Sequence, residues 1–280
     1  MTGFSAEWLA LREPADHRAR NRDLLATLAR LFADRESVRV LDLGSGSGSN
    51  LRGTAPHLPL RQNWRLVDYD PELISAAQDS LSTWADEASA RGEALHLARD
   101  EHVLDVEFRL ADLAADIETV LDEPADLVTA AAFFDLVSAE WIERFAAAIA
   151  ARALPLYTVL IYNGDEGWDP PDPSDRLVNS AFNRHQQTDK GFGPAAGPMA
   201  AEILAASLKA RGYDVILGDS PWRLTSADRA LMAPLAAGIV EAARQTGQVS
   251  PGDLLAWERA RSAPKACVIG HTDLLAIPPT

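Results

Sequence analysis

Seven residues hold most of the chemistry that can be read from this chain. Asp42 to Gly48 spell D-x-G-x-G-x-G, with Gly44, Gly46 and Gly48 alternating with Ser45 and Ser47. Glycine lets a backbone bend sharply and approach a ligand with no Cβ in the way. Amides just beyond such a loop, at a helix N-terminus, face a carboxylate or another anionic group. Downstream, Asp68 closes a short apolar run. A carboxylate about 20 residues past a glycine loop is where nucleotide-binding α/β folds meet ribose hydroxyls, since it can accept from two donors at once. Asp70 competes for that role, but it reads better as a helix cap with Pro71 behind it. Asp112 ends another apolar run and suits either a donor-rich ligand or a cap. In a polar stretch further on, His185 is the side chain whose ordinary pKa suits proton transfer near neutrality, although a lone histidine there also suits a purely structural place.

The glycines need a strand to empty into them and a helix to follow. Val38, Val40, Leu41 and Leu43 form the strand. Trp64 to Asp68 is a second strand, and the spacing predicts a helix from Pro71 to about Arg91, stopped by Gly92. Leu95 to Arg99 and Val103 to Leu110 read as a hairpin partner and the third core strand. Ala125 to Val128 opens the fourth, and Ser138 caps a helix carrying Trp141, Ile142, Phe145 and Ile149. Leu156 to Tyr162 is the fifth. Residues 163–198 read as an irregular polar segment bounded by glycines, a lid-like insertion. A helix to Arg211 and a sixth strand, Tyr213 to Leu217, follow. Two helices within about 225–262 precede a last strand in two pieces, Ala266 to His271 and Leu274 to Ile277. Residues 1–35 read as a helical cap of two helices, with Arg18, Arg20, Asn21 and Arg22 on the solvated side of the second; residues 36–280 form the main domain.

The whole chain narrows the function. It has 280 residues, 41 acidic and 26 basic, for a net charge of −15. Such a field leaves no electrostatic footprint for DNA or RNA. The one cysteine, Cys267, sits in an apolar run, so no intrachain disulfide exists and the expectation is a reducing cytoplasm. The first residues lack the basic and apolar regions of a signal peptide. The longest apolar stretch, Phe145 to Tyr162, is broken by Arg152 and Pro155, so no membrane partner is expected. His96 and His102 have no ligand cluster around them, and no metal is expected.

A dinucleotide fingerprint needs G-x-G-x-x-G, and Ser49 stands at the third glycine. Asp42 to Gly48, with Asp68 and Asp112, instead resembles motif I and the acidic sites of the class I S-adenosylmethionine (SAM)-dependent methyltransferases, over roughly residues 36–165. The resemblance implies an α/β, Rossmann-like, seven-stranded, mostly parallel sheet with helices on both faces. Its last strand would be antiparallel and inserted between the fifth and sixth. It also implies SAM as cofactor, held by Asp42, Gly44, Ser45, Gly46, Gly48, Asp68, Tyr69, Asp112, Leu113 and Ala130. Phe133, Asp135, Tyr162, Trp168 and Lys190 would line the acceptor side, with His185 as base if the acceptor is a hydroxyl. The family's N/D-P-P-Y/F signature is absent, which disfavours DNA bases and glutamine side chains. The function implied is methyl transfer to an oxygen or nitrogen of a small molecule. A non-catalytic SAM-binding protein and, less favoured because of Ser49, a nicotinamide-dependent oxidoreductase stay open.

Overall fold

A computed structural model describes residues 4–92 and 94–279. Two helices come first, α1 (Ala6–Ala19) and α2 (Arg22–Phe32), then β1 (Ser37–Leu43), the short α3 (Ser49–Thr54) and β2 (Arg61–Asp68). After α4 (Pro71–Trp84) come β3 (Glu87–Arg91), β4 (Ala94–Arg99), β5 (His102–Leu110) and α5 (Leu113–Leu121). The middle holds β6 (Leu127–Ala131), α6 (Ala139–Ala151), β7 (Leu156–Asp169), α7 (Asp175–Gln186) and α8 (Ala200–Lys209). The last part holds β8 (Asp214–Asp219), β9 (Trp222–Thr225), α9 (Arg229–Thr246), α10 (Pro251–Ala260) and β10 (Ala266–Ile277).

All the strands belong to one sheet, in the order β3-β4-β5-β2-β1-β6-β7-β10-β8, with β9 also paired to β10. The block β5-β2-β1-β6-β7 is parallel. β10 runs antiparallel between β7 and β8. The expected seven-stranded frame is therefore present, enlarged by β3, β4 and β9. Apolar side chains alternate between two packed layers, which is what a sheet covered on both faces demands. Val38, Val40 and Trp64 join α2, α3, α7 and α9 on one side. Leu41, Leu43 and Val67 join α5, α6 and α8 on the other.

Three local expectations are corrected. The helix starting at Pro71 ends at Trp84, and Glu87–Arg91 is a strand whose five side chains are all exposed. Its alanine and glutamate content suits a helix, but antiparallel pairing with β4 prevails. The Asp86 carboxylate ties that corner by accepting from the Asp100 amide at 2.8 Å. Residues 163–198 are not irregular throughout. β7 continues to Asp169 beside β10, and α7 follows. Both depend on partners distant in sequence, so the local pattern of glycines and acids hides them. The last strand is continuous; the break at Thr272 and Asp273 is a register shift against β7, not a gap. Leu160 sits opposite with φ +60°, and its amide donates to Asp273 Oδ1 at 2.8 Å.

The extension of β7 is pinned by Arg261, whose guanidinium lies against both the Trp168 and Trp257 rings and pairs with Asp175. Beyond the end of the central strand β2, Asp70 caps α4 by accepting from the Glu72 amide at 2.8 Å. Asp70→Ala should cost about 1 kcal/mol, read from urea denaturation. Ligand affinity at the glycine loop should stay within about twofold, because the cap points into the helix.

Candidate functional site

The glycine loop turns at the C-terminal end of β1, on the edge where β2, β5 and β6 also end. Gly44, Gly46 and Gly48 all have positive φ, +61°, +52° and +77°, a conformation costly to side chains with a Cβ. A Cβ on Gly44 would stand 2.7 Å from the Phe133 ring, and one on Gly46 would meet Leu9 at 3.0 Å. The loop is thus covered by Phe133, two residues past β6, and by α1. Ala132, held at φ +49°, makes the turn that lays Phe133 there.

Asp68 organises the loop as well as facing it. One carboxylate oxygen accepts from the Gly46 amide at 2.8 Å, the other from the Asp70 amide at 3.1 Å. Each keeps a lone pair for a further donor. Burial raises its pKa, and these amides pull it back. Asp42 is fully buried. It accepts from Asn50 Nδ2 at 2.7 Å, its second oxygen has no partner among the described residues, and burial pushes it up to about 7. The Ser45 hydroxyl is also buried without a partner. Two orphaned polar groups beside three left-handed glycines make a cradle suited to a zwitterionic ligand end. Asn50 extends the network to Thr129 Oγ1 at 3.0 Å and receives Arg20 at 3.0 Å. Arg20 was expected on a solvated helix face; it ends α1 and is 5% exposed.

Along the same edge, Tyr69 and Leu110 are exposed at 53% and 60%, and Leu110 is the register partner of Asp68. Asp112 caps α5 by accepting from the Ala114 amide at 2.9 Å. The Leu113 side chain lies inside the core, and its carbonyl accepts from the Trp141 indole at 2.8 Å. Ala130 is buried at the end of β6.

Beyond the end of β6, α1, β7, β9 and β10 close over a polar cluster. Arg12 forks onto Asp16 at 2.8 and 3.2 Å, and Asp16 also accepts from the Trp222 indole at 2.9 Å. The Arg12 guanidinium lies 5.1 Å from the centre of the Trp222 ring. His271 sits against Trp222 and Tyr162, with ring centres 5.2 and 6.3 Å apart. Burial and then Arg12 hold its imidazole down, at about 3. Asp135 is 6% exposed with Oδ1 unpartnered; burial lifts it to about 6, against the pull of Arg12 and the Tyr162 amide.

The cluster brings together Asp135 and Tyr162 from the residues expected on the acceptor side, with Phe133 two positions before Asp135. Trp168, His185 and Lys190 find partners elsewhere. Trp168 packs edge-on to Trp257 at 5.7 Å. His185 Nε2 is 3.0 Å from Gln245 Oε1, and Lys190 donates to Thr188 at 2.9 Å. Arg12, Asp16, Trp222 and His271 were not singled out from the sequence. The i,i+4 spacing of Arg12 and Asp16 is the one local trace they leave. Among the described residues no group of His, Cys, Asp and Glu could hold a metal ion, and no helix is long and apolar enough to cross a membrane.

This strand order, with one antiparallel strand between the last two parallel-running ones and a glycine loop after β1, defines the class I methyltransferase fold. The chain is similar in structure to the YcgJ protein from Bacillus subtilis, at 13% identity and TM-score 0.50, over 93% of this chain and 100% of that one. Two further solved structures are similar over most of their length. A putative methyltransferase from Bacillus halodurans matches at 13% identity and TM-score 0.49, over 91% and 99% of the two chains. A SAM-dependent methyltransferase from Thiobacillus denitrificans, in complex with S-adenosylhomocysteine, matches at 18% and 0.42, over 93% of each. At the level of sequence, no family model and no curated protein matches the chain.

Proposed function

We propose that this protein is a SAM-dependent methyltransferase acting on an oxygen or nitrogen of a small molecule, with Asp135 rather than His185 as the group that takes the proton. The observation that carries the reading is the adjacency of two features at the ends of β1, β2 and β6. One is a left-handed glycine cradle with Asp68; the other is a buried carboxylate with a free oxygen, facing Arg12 and the Tyr162 amide. SAM, when bound, supplies an electrophilic methyl group and needs no nucleophilic side chain.

The chain's own residues do the rest. Amides of Ser47, Ser49 and Asn50 and the Ser45 hydroxyl receive the amino-acid end, while the Gly46 amide stays on Asp68 and the Gly48 amide on the Ser45 carbonyl. Asp68 accepts from the ribose hydroxyls, while Tyr69 and Leu110 offer an apolar edge to the base. Arg12, tied to Asp16 and stacked on Trp222, fixes the wall of the acceptor site. His271, held neutral, can present a hydrogen-bond acceptor or donor without adding charge. Asp135, with its pKa near 6, is ionised at neutral pH and basic enough to take a proton from an acceptor oxygen or ammonium. Exclusion of water by α1 and Phe133 strengthens these interactions. Cytoplasmic residence, the absence of a metal and a small-molecule partner belong to the same reading.

Calorimetry tests the first half of it. S-Adenosylhomocysteine should bind 1:1, and neither NAD nor NADP should compete. A folded protein that binds no SAM or S-adenosylhomocysteine would remove the reading.

A further inference from the structure

We propose that a cavity between the end of α1, the start of α2 and the turn after α3 is a binding site for a phosphate monoester, apart from the cofactor and acceptor sites. Its volume is about 370 Å³, within the range of small-molecule sites. Five basic side chains line it, His17, Arg18, Arg20, Arg22 and His57, with Leu25 and Ala26 as an apolar wall. No carboxylate lines it, in a chain whose net charge is −15. A solvated basic face on such a chain would be expected to intersperse acids; this one converges on a concavity.

The centre of the site is Arg20. Its side chain is 5% exposed, and two guanidinium nitrogens donate to Thr54 Oγ1 at 2.9 Å and Asn50 Oδ1 at 3.0 Å. Both acceptors are neutral, the buried Tyr157 hydroxyl beside the guanidinium is neutral too, and Nε, packed towards Gly53, has no partner at hydrogen-bond geometry among the described residues. Gly53 makes room for it: a Cβ there would stand 2.7 Å from the guanidinium carbon. Glycine inside a helix costs about 1 kcal/mol, and the flat guanidinium explains its presence in α3.

A buried cation without a carboxylate on it is costly unless a counter-charge arrives. Asp42 and Asp273 influence Arg20 through space, without hydrogen bonding to it. Of the other basic side chains, Arg18 reaches Asp228, and His17 lies 3.8 Å from Glu13 while bonding Ser49. Arg22 and His57 have no ion-pair partner among the described residues. After burial, Arg20 is the next influence depressing both imidazoles, so the positive field inside the cavity is felt by its own walls.

The chemistry selects the ligand class. Guanidinium forks pair with two oxygens of one tetrahedral anion, and a dianion matches the three lining arginines better than a single carboxylate does, with the neutral imidazoles of His17 and His57 able to hydrogen-bond its oxygens. The cavity is larger than phosphate alone needs, and Leu25 and Ala26 can cover a small organic group attached to it.

The test uses the full chain, with inorganic phosphate, ribose 5-phosphate and ribose as probes, followed by calorimetry. Ribose 5-phosphate should bind saturably with a Kd below about 1 mM, and ribose should not bind. Arg22 and His57 are exposed and hydrogen-bond neither Asn50 nor Thr54 among the described residues. The double change Arg22→Ala, His57→Ala should therefore keep the melting temperature and S-adenosylhomocysteine affinity, yet weaken ribose 5-phosphate at least about tenfold. Arg22→Gln alone should weaken it about threefold or more. No saturable binding of either phosphate probe up to about 10 mM would overturn the site. So would binding that both variants leave unchanged, and phosphate binding without ribose 5-phosphate binding would overturn the ester.

Discussion

Asp135→Asn should lower turnover by about 100- to 10,000-fold, the range in which a positioned general base acts. S-Adenosylhomocysteine affinity should stay within about twofold, because the change leaves the glycine loop and Asp68 untouched. The pH profile carries the sharper signature. The ionised carboxylate is the working form, so kcat/KM should rise as pH passes through about 6 and level off above it. The variant should show no such limb.

Stability moves the other way. The folded pKa lies above that of an unfolded aspartate, so the folded state holds this proton more tightly. The associated stability is present below about pH 4 and is lost as pH rises through about 6. At pH 7.5 the asparagine variant should therefore be more stable than the natural chain, by on the order of 2 kcal/mol. Thermal melting and activity together distinguish catalysis from structure. Lost activity with a lowered melting temperature would assign Asp135 to the scaffold, and wild-type turnover would remove it from the mechanism.

Asp68→Ala should weaken S-adenosylhomocysteine at least about 100-fold by calorimetry. Two hydrogen bonds from ribose to a charged oxygen contribute roughly 1.5–3 kcal/mol each. The alanine also releases the Gly46 amide that the carboxylate holds at 2.8 Å, loosening the loop. Asp68→Asn should lose less, since an amide oxygen still accepts. If Asp70→Ala weakens the ligand more than Asp68→Ala, the ribose contact belongs two residues further on.

What the sequence discloses is what is local. The strand into the glycine loop, the caps Asp70 and Ser138, and the order of core strands are each set by residues within one turn or one run; Asp112, expected at the cofactor, caps α5. β3 escaped because exposed strands carry no apolar alternation, so a helical composition was the stronger local signal. The far half of β7 escaped because its partner lies in β10. The loop and Asp68 were legible through spacing alone. The Arg12, Trp222 and His271 cluster was not, since its members come from the first helix and the last two strands and meet through sheet order. Arg20 looked like one more surface arginine until Gly53 and the network of Asn50 and Thr54 enclosed it.

Among the described residues β10 follows every other strand, yet it fills the slot between β7 and β8, and β8 pairs with no other strand. During synthesis β8, β9 and the outer half of β7 must therefore wait, unpaired, while the ribosome completes the residues after Ala266. Only then can Asp273 accept from the Asn21 amide that starts α2, 2.8 Å away. Closure across so much sequence is slow, and exposed strand edges invite intermolecular pairing in the meantime. Expression yield should consequently respond more to chaperone supply and growth temperature than to changes in the early β1–β2 half.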